Sequence, residues 1–207
     1  TVCPFVADPA TSNRTQPRAC DHIHTGCHST DVIAGAACRF IDAQPADAPF
    51  LAYVAFLAPH DPRTMPQKYR DRYDPASLPL PESFLGGHPF DNGELHIRDE
   101  MLAGFPRTPE EVRRHLAEYY AMISHLDDRI GDIVEAVRRR GLLEQTVFVL
   151  AGDNGLALGR HGLMGKQSLY DHSTRVPLLF AGPGIPAGER RDALVYLLDL
   201  FPTLCEL

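Results

Sequence analysis

The 207-residue sequence predicts an α/β fold in which a mostly parallel central sheet is flanked by helices. Three observations carry the prediction. Three short runs without charge are rich in β-branched, aromatic and aliphatic residues, as strands buried on both faces of a parallel sheet are. A long amphipathic segment lies between them. The composition, 44% hydrophobic with no biased tract, is that of one globular domain or a large piece of one.

Taken in order, Thr1 to Gly26 reads as irregular. A helix follows over Thr30 to Ala43, with Val32, Ile33, Ala36, Ala37 and Phe40 or Ile41 inward. Phe50-Leu51-Ala52-Tyr53-Val54-Ala55-Phe56-Leu57 is the first strand, and the stretch Met65 to Arg107, rich in proline and glycine, is again irregular. Thr108-Pro109-Glu110-Glu111 opens the strongest helix, with a threonine cap, proline at the first helical position and glutamate three residues after the cap. Val112, Leu116, Tyr119 or Tyr120, Ile123, Leu126, Ile130, Ile133 or Val134 and Val137 recur at steps of three and four, a stripe that needs a sheet or helix to cover it. Arg138-Arg139-Arg140 suits the negative end of the helix dipole and Gly141 ends it. Asp127 and Asp128, mid-helix, read as solvated or capping carboxylates rather than metal ligands. Thr146 to Leu150 and Val176 to Ala181 complete the strands, with Pro177 at a strand start or edge because it lacks a donor. A last helix covers Leu197 to Leu207.

A net charge of −7 without a basic stripe argues against nucleic acid, and no apolar stretch approaches a membrane span. The five cysteines follow no framework and read as mostly free thiols, with a pair among Cys3, Cys20 and Cys27 left open. Cys20, His22, His24, Cys27 and His28 are dense in Zn²⁺-type ligands, but their spacing matches no common finger.

The most informative segment is Asp153-Asn154-Gly155, which ends the run Thr146 to Gly152. A carboxylate beside an amide carbonyl suits Ca²⁺ or Mg²⁺, which prefer oxygen donors. Gly159-Arg160-His161-Gly162-Leu163-Met164-Gly165-Lys166 follows at once and supplies cations for an anionic, metal-bound substrate. Ligands collect beyond the carboxyl ends of strands in open α/β sheets, and Pro59-His60-Asp61-Pro62 falls at such an end too. Asp61 and Arg63 suit either substrate contact or a turn with an Asp cap. The pattern suggests hydrolysis of a charged ester.

PFLAYVAFLAPHDPR over Phe50 to Arg63, YYAMISHLDDRIGDIVEAVRRRGLLEQTVFVLAGDNG from Tyr119, LGRHGLMGKQSLYDHSTRVPLLFAGPGIP and the final LLDLFPTLCEL together resemble the sulfatase family of the alkaline phosphatase superfamily. The resemblance implies a partial alkaline-phosphatase-like sandwich and a sulfuric ester hydrolase using formylglycine and a divalent cation, Ca²⁺ or Mg²⁺. It implies that Asp153 and Asn154 are metal ligands and that His60 and Lys166 face the sulfate; His161, five residues before Lys166, reads either as sharing their pocket or as a loop histidine hydrogen-bonded to backbone. The expected substrate is a small-molecule or saccharide sulfate ester. Members are often periplasmic, secreted or lysosomal and some are cytoplasmic, so the compartment stays open.

The family's nucleophile motif, Cys-x-Pro-x-Arg or Ser-x-Pro-x-Arg, is missing: none of Cys3, Cys20, Cys27, Cys38 and Cys205 fits it, and Ser77-Leu78-Pro79-Leu80-Pro81 lacks the arginine. The paired aspartates and the lysine-histidine segment of the family's N-terminal part are missing as well. Residues 1–207 are therefore expected to be a single partial sulfatase domain without the nucleophile half and the C-terminal subdomain. Such a chain would bind metal weakly, hydrolyse no ester alone and associate with a missing N-terminal half. A phosphodiesterase or phosphonate monoester hydrolase of the same superfamily, or a non-catalytic remnant or interaction module, are the alternatives.

Overall fold

A computed structural model of the protein describes residues 27–45 and 47–207 in full, and Val2–Ala7 and Thr15–Ala19 by their backbone. Those two backbone segments, β1 (Val2–Ala7) and β2 (Thr15–Ala19), form an antiparallel pair where the sequence suggested irregular chain. Its register breaks between Cys3 and Val6, the interval holding Pro4, which has no amide to give a ladder. Most of the Cys20–His28 cluster lies outside the described residues. His28, at its end, is committed to structure: Nδ1 accepts from the Thr30 amide at 3.2 Å, so Nε2 carries the proton donated to the Thr64 carbonyl at 2.9 Å. Cys27, Cys38 and Cys205 are free thiols.

His28 caps α1 (Ser29–Asp42), whose buried face is Thr30, Ala34, Ala37 and Ile41. That stripe is turned from the expected one. Ala36 is exposed and Phe40 is 42% exposed, because the small residues Ala34 and Ala37 let α1 lie close against a longer helix. After the short α2 (Gln67–Arg70) comes that longer helix, α3 (Pro109–Arg139), capped as expected by Thr108, which accepts from the Glu111 amide. Each half of α3 anchors one apolar cluster. Val112 and Leu116 pack with Ala103, Leu158 and Met164, while Ala136 and Val137 pack with Ile41 of α1. Burying a side chain of this size stabilises the fold by about 1.5–3 kcal/mol. Between the clusters, His125 is buried and bonds Asp31 at 2.8 Å, stacked on Tyr69 with ring centroids 4.8 Å apart. Asp128 accepts from the Tyr69 hydroxyl at 2.7 Å and lies 3.7 Å from Arg72, while Asp127 is exposed, so the mid-helix carboxylates are structural or solvated.

The sheet is partial. β3 (Phe148–Ala151) and β4 (Leu178–Ala181) pair antiparallel, with Phe148 opposite Ala181. Gly152 extends the ladder by donating to the Pro177 carbonyl at 3.0 Å, so Pro177 sits where no donor is required of it. Phe50–Leu57, expected as a strand, pairs with no strand among the described residues. Its accessibility nevertheless alternates: Leu51, Tyr53 and Leu57 are 82%, 91% and 70% exposed, while Val54 and Phe56 are half-buried. Phe50 and Phe148 both pack against the second cluster, Ile41, Ala136 and Val137. Neither face of β3 is closed, since Leu150 is 43% exposed, so the expectation of a strand buried on both sides is corrected. The chain finishes with the short α4 (Asp171–Thr174), before β4, and α5 (Leu200–Glu206). No helix among the described residues is long and apolar enough to cross a membrane.

Candidate active site

At the end of β3 the chain emerges as Asp153 and Asn154, both exposed. Among the described residues neither side chain is engaged by a hydrogen bond or ion pair with another side chain, so their oxygens stand free for a ligand. Gly155 then turns the chain sharply. Its amide donates to the Ser173 carbonyl at 2.9 Å, and a Cβ at this position would lie 1.8 Å from the His172 carbonyl oxygen, so only glycine passes.

The loop that follows is held rigidly. The Ala157 amide donates to the Gly165 carbonyl at 2.8 Å and that of Gly159 to Leu163 at 2.7 Å. Leu158, Gly159, His161 and Gly162 all have positive φ, an unusual run for Leu and His. Gly162 passes so near Gly87 that a Cβ would meet its carbonyl carbon at 2.2 Å. The His161 amide donates to Ser83 at 2.7 Å, and its carbonyl accepts from His88 Nδ1 at 2.7 Å. The segment 81–88, expected to be irregular, is thus a brace for the cation-bearing loop.

Asn154 and His161 line one open cleft of about 550 Å³ with Arg160, His172 and Arg175, and with Tyr119 from α3. The His161 ring stacks on Tyr170 at 4.2 Å and lies 5.8 Å from His172. Burial, reinforced by the charges of His161 and Arg160, pushes His172 down to about 4, so it is neutral at pH 7. Asp153, His60 and Lys166 are not part of this cleft's wall.

His60 is exposed on the turn after Phe50–Leu57. Its Nδ1 lies 2.9 Å from the Asp61 carbonyl, which can only accept, so Nδ1 bears a proton and Nε2 is the nitrogen open to a substrate. Asp61 and Arg63 serve structure: Asp61 Oδ1 is 3.3 Å from the Arg63 guanidinium, which is 5% exposed and donates to Nδ1 of His115 in α3. His115 is itself driven down to about 3, first by burial and then by Arg63 and Arg114.

Lys166 is half-buried, and its mooring was not foreseen from the sequence. Glu100 and Arg107 form a buried pair, Nη2 to Oε2 at 2.6 Å, with side chains 5% and 0% exposed. The Glu100 carboxylate also accepts from the amides of Met164 and Gly165, each at 2.8 Å, and Arg107 Nε donates to Gly162 at 3.3 Å. Removing one partner of such a pair costs on the order of 3–5 kcal/mol, since it strands a buried charge. Asp99 accepts from Gln167 Nε2 at 2.9 Å, and Gln167 Oε1 accepts the Lys166 amide at 3.0 Å. Burial acts to raise the Asp99 pKa, but hydrogen bonds from Gln167 and Arg98 and the charge of Lys166 outweigh it, and the net shift is downward. No periodicity in Met65 to Arg107 betrays these roles. The one signal was a run of charge, Arg98-Asp99-Glu100, within an otherwise proline- and glycine-punctuated stretch.

Asp153 and Asn154 fit one side of a hard-cation site: two free oxygen donors at a strand end. Ca²⁺ takes about six to eight oxygens. Among the described residues no group of three histidine, cysteine or acidic side chains converges to hold a metal. Two such donors by themselves would leave most of a hard cation's coordination to other groups.

Helices beside a partial sheet, with exposed oxygen side chains at a strand end, belong to an α/β fold of the alkaline-phosphatase-like type. The chain belongs to the sulfatase family, whose model, described as Sulfatase, matches residues 5–207. It is 36% identical over 163 residues to a choline-sulfatase of Rhizobium meliloti (strain 1021), covering 77% of this chain and 31% of that protein. It is 39% identical over 136 residues to an arylsulfatase K of Gallus gallus, covering 66% and 25%. Among solved structures it is similar to the phosphonate monoester hydrolase of Agrobacterium radiobacter, with a TM-score of 0.75, 27% identity, and coverage of 96% of this chain and 44% of that one. The chain thus spans about a third or less of the curated relatives it matches.

Proposed function

We propose that this chain supplies the metal-proximal and anion-binding part of a sulfuric ester hydrolase, with Asp153 and Asn154 as two ligands of a divalent cation. Such a cation, when bound, polarises an ester oxygen and offsets developing charge. Formylglycine, as in the family at large, would come from outside these residues. The observation that carries the reading is the pair of exposed, unengaged oxygen side chains at the end of β3, next to a loop braced from both sides.

In this reading Lys166 offers a compact charge with three donors to the equatorial oxygens of the ester. His60, whose Nδ1–H is donated to the Asp61 carbonyl, presents Nε2 to the substrate, and in the imidazolium form it gives the Nε2 proton to the leaving alkoxide and is left as the neutral Nδ1–H imidazole. His161, stacked on Tyr170 in the cleft, contacts the ester from the side of Asn154. The 207 residues by themselves, holding two ligands, bind metal weakly and turn over no ester. The substrate class is a small-molecule or saccharide sulfate ester, in keeping with the names of the sulfatase relatives.

A second reading, phosphonate or phosphodiester hydrolysis, is favoured by the similarity to the phosphonate monoester hydrolase. The test uses the full polypeptide that the gene encodes, assayed with 4-nitrophenyl sulfate and with a phenylphosphonate monoester, with and without a chelator. Sulfate turnover that the chelator and Asp153→Ala each reduce by about a hundredfold or more supports the proposal. A preference for the phosphonate selects the second reading, and turnover indifferent to Asp153→Ala refutes the metal assignment.

A further inference from the structure

We infer that Asp99, Glu100 and Gln167 are positioning residues for Lys166: two consecutive acidic side chains, delivered by the otherwise irregular stretch 65–107, lock the backbone on both sides of that lysine. The inference rests on the reading of Lys166 as the anion-binding cation and adds what aims it.

Three contacts converge on a short length of chain. The Glu100 carboxylate takes the amides of Met164 and Gly165, the two residues before Lys166, while its Oε2 is held by Arg107. Asp99 holds the Gln167 amide group, whose oxygen receives the amide of Lys166 itself. The backbone N–H groups at 164, 165 and 166 are thus all taken by side chains, two by Glu100 and one by Gln167. Gly165 is required for this approach: a Cβ there would lie 2.7 Å from Gln167 Oε1 and 3.0 Å from Glu100 Oε1. A lysine side chain has four rotatable carbons, so its ammonium is placed only as well as its backbone is. Fixing the backbone leaves the side chain as the sole source of spread, which is how supporting contacts raise the fraction of time a cation spends in a productive position. Asp99 adds a negative charge close enough to the ammonium that the charge of Lys166 helps to hold the Asp99 carboxylate ionised.

Gln167 is exposed and belongs to neither apolar cluster, so Gln167→Ala separates positioning from folding. The readout is the acetylation rate of the Lys166 amine, measured by mass spectrometry in the full polypeptide with increasing inorganic sulfate. The exposed Lys68 serves as internal reference. Sulfate is expected to protect Lys166 and not Lys68. Gln167→Ala is expected to raise the sulfate concentration needed for protection by about tenfold, with the melting temperature shifted by no more than about 2 °C. Glu100→Gln is expected to have a larger effect on both quantities, because it also strands Arg107. Protection of Lys166 in the parent protein that Gln167→Ala leaves unchanged overturns the inference alone. Absence of protection in the parent protein overturns the anion-binding reading of Lys166, and the inference falls with it.

Discussion

His115 offers a sharp test of the packing that holds the His60 turn to α3. Its imidazole is buried at 4% exposure, with Arg63 donating to Nδ1 and Arg114 at 3.1 Å from Nε2. Burial first, and then the positive charges of Arg63 and Arg114, drive its pKa from 6.5 to about 3. A histidine held neutral in the fold but free to protonate near pH 6.5 once unfolded binds more protons in the unfolded state at acid pH. Its contribution is therefore unaffected above about pH 6.5 and is lost progressively as pH falls from there towards 3. Between pH 7.5 and pH 5, about 1.5 decades below the unfolded value, that loss amounts to about 2 kcal/mol. The perturbation is His115→Gln, which keeps a polar group of similar reach that does not titrate. Urea unfolding of both proteins at pH 7.5 and pH 5 supplies four free energies. The variant is expected to be the less stable at pH 7.5, yet to lose about 2 kcal/mol less than the parent on acidification. The paired difference cancels the carboxylates and the other histidines, the buried His125 and the half-buried His172 among them, common to both proteins. Parallel losses in the two proteins would refute the account of His115 as a buried neutral base wedged between guanidinium groups.

Two further substitutions probe what positions the site. Leu116→Ala, in the cluster with Val112, Leu158 and Met164, should cost about 2–5 kcal/mol, read as a lower urea midpoint at unchanged slope. Gly162→Ala should cost at least about 2 kcal/mol in the same assay, because its φ of 75° disfavours a side chain and its Cβ would meet Gly87; a stability loss below 1 kcal/mol would contradict the close approach.

The parts of the structure legible in the sequence are those with a local cause. The cap Thr108-Pro109, the apolar stripe of α3 and the stop at Gly141 follow from spacing alone, and α3 runs Pro109–Arg139 as that spacing requires. The exposed place of Asp153 and Asn154 just beyond a strand was legible because a charge-free run ends at them. Two things were not legible, for opposite reasons. The mooring of Lys166 depends on pairing Glu100 with amides 64 and 65 residues away, and a buried ion pair leaves no period in the sequence. Phe50–Leu57, by contrast, carries the composition of a buried strand, yet Leu51, Tyr53 and Leu57 lie open to solvent. Composition records what a segment requires of its neighbours, whereas burial records which neighbours are present. From Tyr53 to Leu57 open and half-covered residues alternate, which is what an extended segment shows when one of its faces is covered and the other is not. The same logic applies to the proposed site: among the described residues, two exposed oxygen side chains at the end of β3 and a segment without a strand partner leading to His60 both await further groups. A single complementary segment that pairs with 50–57 would both bury the exposed leucines and bring further groups to the carboxyl ends of the strands, where Asp153, Asn154 and His60 stand.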